Sequence, residues 1–187
     1  MKVTSPDSLV ARAGHRIDRV VYTAEQIDAR VREMGAEISE AYEGTDDLLV
    51  LGLLKGSFIF LADLVRYIQI PLHVDFLVAS SYGNAKVSSG KVSLVYDASA
   101  SLKGRSVVLV EDIVDSGNTI ARLLPELEAR GPKSLEVCAL LHKRLTKLPW
   151  EPRWVGFDCP EDFLVGYGLD YSENFRHLPF IVSLAED

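Results

Sequence analysis

A chain of 187 residues with 48% hydrophobic and 25% charged side chains is long enough for one domain with a full core, and those proportions are globular ones. Acidic residues outnumber basic ones, 27 to 20, giving a net charge of −7 with no Lys/Arg cluster; this argues against nucleic acid as partner, and any anionic ligand must be held by a local site or a metal ion. No run of 18 apolar residues exists and the polar N-terminus does not resemble a signal peptide, so the expectation is no membrane contact and a soluble, cytoplasmic chain.

Residues 1–20 are polar and irregular apart from a short strand expected at Ile17–Val21. Thr23-Ala-Glu-Gln26 has the form of a capping box, in which Thr23 starts a helix and Gln26 reaches back. Ile27, Val31, Met34, Ile38 and Ala41 give that helix an apolar stripe. Leu48–Leu54 reads as a buried strand, broken by Lys55-Gly56-Ser57. Phe58, Leu61, Ala62, Leu64 and Val65 then open a helix. A strand–turn–helix with a cation and a glycine in its turn suits an anion, although an ordinary βα loop with a solvated Lys has the same look. The G-x-x-x-x-G-K-[ST] phosphate loop is absent. Leu72, Val74, Phe76 and Val78 alternate with His73, Asp75, Leu77 and Ala79, which predicts a strand. Ser80-Ser81-Tyr82-Gly83-Asn84 ends it, residues 83–91 have loop composition, and Val92–Tyr96 returns as the second strand of a hairpin.

Val107–Val110 predicts a strand buried on both faces, ended by the adjacent carboxylates Glu111 and Asp112. Asp115-Ser116-Gly117-Asn118-Thr119 follows as a turn, and Ile120, Leu123, Leu124 and Leu127 carry a helix to about Arg130, stopped by Gly131-Pro132. Ligands of open α/β sheets bind at this carboxyl edge. A helix N-terminus attracts phosphate, while the acidic pair would repel it on contact. One ligand satisfies both: phosphate on the helix end, with hydroxyls or a metal ion on the carboxylates, as in a ribose 5-phosphate. Leu135–Leu141 is a further strand, ending at His142-Lys143-Arg144; His142 reads as a packing or surface histidine. Cys138 and Cys159, in apolar surroundings, read as buried free thiols without zinc spacing. Phe163 taken alone reads as core. Gly166 and Gly168 permit tight turns, and the third glycine of a dinucleotide fingerprint is missing.

Glu111-Asp-Ile-Val-Asp-Ser-Gly-Asn-Thr119 resembles the phosphoribosyl-pyrophosphate (PRPP) signature of type I phosphoribosyltransferases. Phe163-Leu-Val-Gly-Tyr-Gly-Leu-Asp-Tyr171 is similar to the purine-site segment of the hypoxanthine-guanine branch of that family. The resemblance covers residues 20 to 184. It implies an α/β fold, a mostly parallel sheet flanked by helices with a small hood. A single domain would span 1–187, with a core of about 20–145 and a hood from 1–20 and about 150–187. The implied reaction is purine salvage: PRPP and a 6-oxopurine give the nucleoside monophosphate and pyrophosphate, with Mg²⁺ as cofactor. Asp115 would be the general base at purine N7. Ser116, Gly117, Asn118 and Thr119 would cradle the 5-phosphate, and Glu111 and Asp112 the ribose hydroxyls. Lys55, Gly56 and Arg176 would meet pyrophosphate, with a cis peptide joining Leu54 to Lys55. Lys143, Phe163, Leu164 and Asp170 would form the purine subsite. Glu111, Asp112 and Asp170 would serve the metal, and Ser81 and Tyr82 would belong to a closing lid. Family members form dimers or tetramers, so a homodimer or homotetramer is implied.

Leu164 stands where many relatives carry Val, which leaves guanine versus hypoxanthine preference open. Three further readings stay open from sequence: a non-catalytic regulator that retains the PRPP fold; a phosphoribosyltransferase for another base, xanthine more than a pyrimidine, since the Lys143 and Phe163 segments argue against the latter; and a general nucleotide-binding α/β protein.

Overall fold

A computed structural model of the chain describes residues 16–80, 93–145, 148 and 150–185. Strand β1 (Ile17–Tyr22) leads to Thr23, which caps helix α1 (Ala24–Ala41). Thr23 Oγ1 accepts from Gln26 N at 3.3 Å, and Gln26 Oε1 accepts from Thr23 N at 2.9 Å, so both halves of the capping box form. Ile27, Val31, Met34 and Ile38 are buried along one stripe. Ala41, expected to continue it, is exposed, and Tyr42 fills that place because the helix ends there.

Strands β2 (Leu48–Leu54), β3 (Leu72–Ser80), β4 (Ser93–Tyr96), β5 (Ser106–Val114), β6 (Ser134–His142) and β7 (Trp154–Asp158) form one sheet in the order β4-β3-β2-β5-β6-β7. All its pairings are parallel except β3 with β4, which is antiparallel. Helix α2 (Phe58–Tyr67) follows β2 and helix α3 (Asn118–Glu128) follows β5. Alternate side chains of the central strands divide between two layers. Leu48, Val50, Val108 and Val110 pack with Ile27, Met34, Phe60 and Leu64 from α1 and α2. Leu49, Leu51, Val107 and Leu109 pack with Ile120, Leu123 and Leu127 from α3. Burial on both faces is why these strands read as unbroken apolar runs.

One sequence expectation is corrected, and one point that the sequence leaves open is settled. The valine run suggests a strand that stops before the acidic pair, yet β5 continues to Val114. Strand β6 is equally long and keeps pairing with it, Glu111 to Ala139, Ile113 to Leu141 and Val114 to His142. In β3 the more buried side is Asp75 and Leu77, while Val74 is 41% exposed. Asp75 is the cause: its carboxylate accepts from Phe76 N at 2.8 Å, Ser99 Oγ at 3.0 Å and Ala100 N at 2.9 Å, tying down the segment that enters β5.

A second sheet joins the two ends of the chain. Strand β9 (Ile181–Leu184) lies between β1 and β8 (Leu164–Val165), antiparallel to both. Trp154–Asp158 lies beyond residue 150 but is paired to β6, so it belongs to the larger sheet. Cys138 and Cys159 are buried free thiols. Among the described residues no helix is long and apolar enough to cross a membrane.

Candidate active site

Parallel pairing places the carboxyl ends of β2, β5 and β6 side by side, so the turns that follow them share one edge of the sheet. After β5 the chain turns through Asp115 and Ser116 to Gly117, whose φ of 72° lies in the left-handed region. A Cβ at Gly117 would also stand 2.5 Å from Leu148 Cδ2, so only glycine fits. Gly117 caps α3 without any side-chain hydrogen bond, which leaves first-turn N–H groups free. They face a small cleft of about 60 Å³ lined by Glu111 and by residues 113–120, including Ser116, Asn118 and Thr119.

Beside it lies a larger cavity of about 260 Å³. Asp112, Asp115 and Asp170 supply its carboxylates, Lys143 its cation, and Phe163, Leu164, Ile113 and Leu169 its apolar wall. Lys143 Nζ is 3.5 Å from Asp115 Oδ1 and donates to the Glu161 carbonyl at 3.3 Å. Phe163 does not join the core, as it would if read alone: it is 54% exposed, edge-on to Tyr171 with ring centroids 5.5 Å apart. An exposed aromatic at the mouth of a half-apolar cavity is a stacking surface.

Burial governs the acidic pair. Desolvation, with the neighbouring Asp112 charge added, raises the Glu111 carboxyl well above its ordinary range. Asp112 is pushed up to about 6 by burial, against the hydrogen bond from Ile113 N and the charge of Arg176. Glu111 Oε2 is buried with no hydrogen-bond partner. Among the described residues no three His, Cys, Asp or Glu side chains converge to cage a metal. A buried orphaned carboxylate oxygen beside a second desolvated carboxylate suits a hard divalent cation that keeps water and ligand oxygens as its other partners.

The turn after β2 touches this pair directly. A Cβ on Gly56 would lie 1.6 Å from Asp112 Oδ2, so the glycine is required by the carboxylate behind it. Gly168, with φ of 102°, packs so that a Cβ there would meet the Gly56 carbonyl oxygen at 2.1 Å. The peptide joining Leu54 to Lys55 is cis. Lys55 Nζ pairs with Glu173 at 3.1 Å, which holds the Glu173 carboxyl below its usual range. Arg176 pairs with Asp170 at 2.8 Å and donates to the Gly168 carbonyl at 2.8 Å.

Asp112, Asp115, Lys143, Phe163, Leu164 and Asp170 thus share one cavity, and Glu111 with residues 116–119 line its neighbour. Lys55, Gly56 and Arg176 sit around Asp112, Asp170 and Glu173 rather than in either cavity wall. Ser81 and Tyr82 lie outside the described residues. Sequence reasoning missed Glu161, which acts through a main-chain carbonyl, and Glu173, which lies in an irregular stretch without periodicity.

The chain resembles known proteins over nearly its whole length. Residues 21–172 match the phosphoribosyl transferase domain model. A hypoxanthine phosphoribosyltransferase from Salmonella typhimurium is 43% identical over 89% of this chain and 94% of its own. A hypoxanthine-guanine phosphoribosyltransferase from Mycobacterium avium is 46% identical over 90% and 86%. Among solved structures, a hypoxanthine-guanine phosphoribosyltransferase from Bacillus anthracis superimposes with a TM-score of 0.85 at 40% identity, over 91% of this chain and 100% of that one. The acidic strand end, the open helix N-terminus and the flanking cavity are therefore those of a family member: the chain belongs to the phosphoribosyl transferase domain family.

Proposed function

We propose that this protein is a purine-salvage enzyme, transferring the 5-phosphoribosyl group from PRPP to hypoxanthine or guanine and releasing IMP or GMP and pyrophosphate. The observation that carries the reading is the meeting of Asp115 and Lys143 in one cavity under an exposed Phe163, beside an uncapped helix N-terminus. An acid and a cation 3.5 Å apart match neighbouring polar edges of a 6-oxopurine. Asp115 takes the N7 proton as the bond from C1 of ribose to N9 forms and the bond to pyrophosphate breaks. Lys143 donates to O6; adenine offers an amino group there, setting donor against donor. Phe163 stacks on the base and the Leu164 backbone reads its edge. Ser116, Gly117, Asn118 and Thr119 bind the 5-phosphate with the free N–H groups of α3. Glu111 and Asp112 hold the ribose hydroxyls.

Glu111, Asp112 and Asp170 are the residues that would hold Mg²⁺, which when bound spreads the charge of the departing pyrophosphate. Lys55, Gly56 and Arg176 surround that departing group. The protein's own contribution is largely positioning of sugar and base for a charge-separated transition state. The relatives' names, hypoxanthine and hypoxanthine-guanine phosphoribosyltransferase, support the same base class. The family resemblance extends the reading to a homodimer or homotetramer, which analytical ultracentrifugation tests.

An ultraviolet assay with PRPP and Mg²⁺, offering hypoxanthine, guanine, xanthine and adenine separately, decides the activity. Turnover of hypoxanthine or guanine that EDTA abolishes is the expected result. Turnover of xanthine alone would retain the reaction and change the base; PRPP binding without turnover of any base would replace the enzyme by a ligand-binding regulator.

A further inference from the structure

We propose that Glu173 is a built-in placeholder for the pyrophosphate group of PRPP: its carboxylate bridges the two cations that receive that group and must swing away before PRPP binds. The inference rests on the assignment of Lys55 and Arg176 above and deepens it. Glu173 Oε1 lies 3.1 Å from Lys55 Nζ, and Oε2 lies 3.5 Å from Arg176 Nη2. These cations come from different parts of the fold, Lys55 from the turn between β2 and α2 and Arg176 from the segment between β8 and β9. One carboxylate joins them through its two oxygens, as two non-bridging oxygens of one phosphate would.

The backbone is set to aim Glu173 there. Glu173 has φ of 65°, Ser172 φ of 50° and Phe175 φ of 75°, all non-glycine residues in the left-handed region. Such conformations persist where surrounding contacts hold them. Here Asp170 Oδ2 accepts from Glu173 N at 2.8 Å, and Tyr171 and Asn174 exchange backbone hydrogen bonds at 3.2 and 3.0 Å. The Glu173 side chain itself is 66% exposed, with no apolar packing needed to release it into solvent. Arg176 keeps Asp170 and the Gly168 carbonyl when Glu173 leaves, so the receiving cation stays oriented.

The test compares wild type with Glu173→Gln and Glu173→Ala. Calorimetry measures inorganic pyrophosphate binding in Mg²⁺, and forward kinetics give KM for PRPP and for hypoxanthine. Exposed ion pairs are weak, so their loss should tighten pyrophosphate binding and lower KM for PRPP by about two- to tenfold in both variants, with KM for hypoxanthine unchanged. Unchanged or weaker pyrophosphate binding in variants whose circular dichroism melts match wild type would overturn the placeholder and make Glu173 a support for the two cations. Wild-type turnover of hypoxanthine with no affinity gain in the variants sinks the placeholder alone. Tighter pyrophosphate binding in the variants, without wild-type turnover of any base, upholds the placeholder and sinks the catalytic assignment.

Discussion

Asp115 and Lys143 are paired at 3.5 Å, with Asp115 more than half exposed, so the contact is weak enough to open for a ligand. If Asp115 is the base, Asp115→Ala cuts kcat by about 10²–10⁴-fold while Mg²⁺·PRPP still binds. Calorimetry against single-turnover rates checks this, and equal losses in binding and rate would refute the base role. The motif made Asp115 legible in the sequence, because a nine-residue run of fixed order points to one chemistry. It could not convey that Asp112 is pushed up to about 6 by burial, since desolvation depends on the chain that covers it. That shift has a signed consequence. Below about pH 4 both folded and unfolded chains hold the Asp112 proton, and the group is neutral to stability. Between pH 4 and 6 the unfolded chain gives up the proton first, and by pH 7 the buried charge lowers stability by about 1–3 kcal/mol. Asp112→Asn, which keeps an acceptor for Ile113 N, should therefore raise the metal-free Tm at pH 7.5 by about 3–8 °C. The gain should vanish towards pH 4, and the same difference at both pH values would show that burial of the charge is not its source.

At the scale of elements, apolar runs and a capping box located β2 and α1, because burial on both faces and a cap leave direct traces in composition; α3 begins at Asn118, inside the stretch read as a turn, because Gly117 caps it without a side chain. Where pairing outweighs composition, the sequence misleads. Strand β5 carries two carboxylates because β6 keeps offering it partners; in β3 the alternation alone leaves the buried side open, and Asp75 turns inward because three donors await it. The contact between the turn after β2 and the segment after β8 was legible only as scattered glycines. Gly168 approaches Gly56 so closely that a methyl group would lie 2.1 Å from its carbonyl oxygen, at a φ of 102° that alanine also resists. Gly168→Ala must therefore separate the two segments or strain the backbone, a loss of about 2–3 kcal/mol. Differential scanning calorimetry should record a Tm about 4–12 °C lower. Because the same shift moves Lys55 away from Glu173 and Arg176, KM for PRPP should rise more than KM for hypoxanthine. An unaltered Tm would mean that the two segments are free to part without cost.

The whole molecule carries a net charge of −7 around the proposed anion site, and its two sheets pack together beside that site. Leu164, Tyr167, Leu169 and Ile181 of the smaller sheet and its flanking segment pack into the same cluster as Val108, Val110 and Leu140 of the larger one. Tyr22 Oη of β1 donates to the Asp158 carbonyl of β7 at 2.7 Å, so a polar contact also crosses between them, and Tyr167 Oη donates to Asp63 of α2 at 2.6 Å. A ligand that meets Glu111, Asp112 and the α3 N-terminus on one side and Arg176 on the other binds only when both sheets are in place. Such a ligand stabilises the native state as a whole. At a PRPP concentration about 100 times its Kd the gain is about 2.7 kcal/mol, which for a chain of this size raises Tm by about 5–11 °C. Mg²⁺ held at Glu111, Asp112 and Asp170 would offset the charge of the pyrophosphate in this acidic molecule, so the shift should be largest with Mg²⁺ and shrink in EDTA. Thermal melts with PRPP, with Mg²⁺ and with both together make the test. A shift of equal size in EDTA would remove Mg²⁺ from PRPP binding at this site. No shift with both present would remove PRPP as the ligand of this site, and full shifts without turnover of any purine would leave the binding assignment intact while removing the catalytic one.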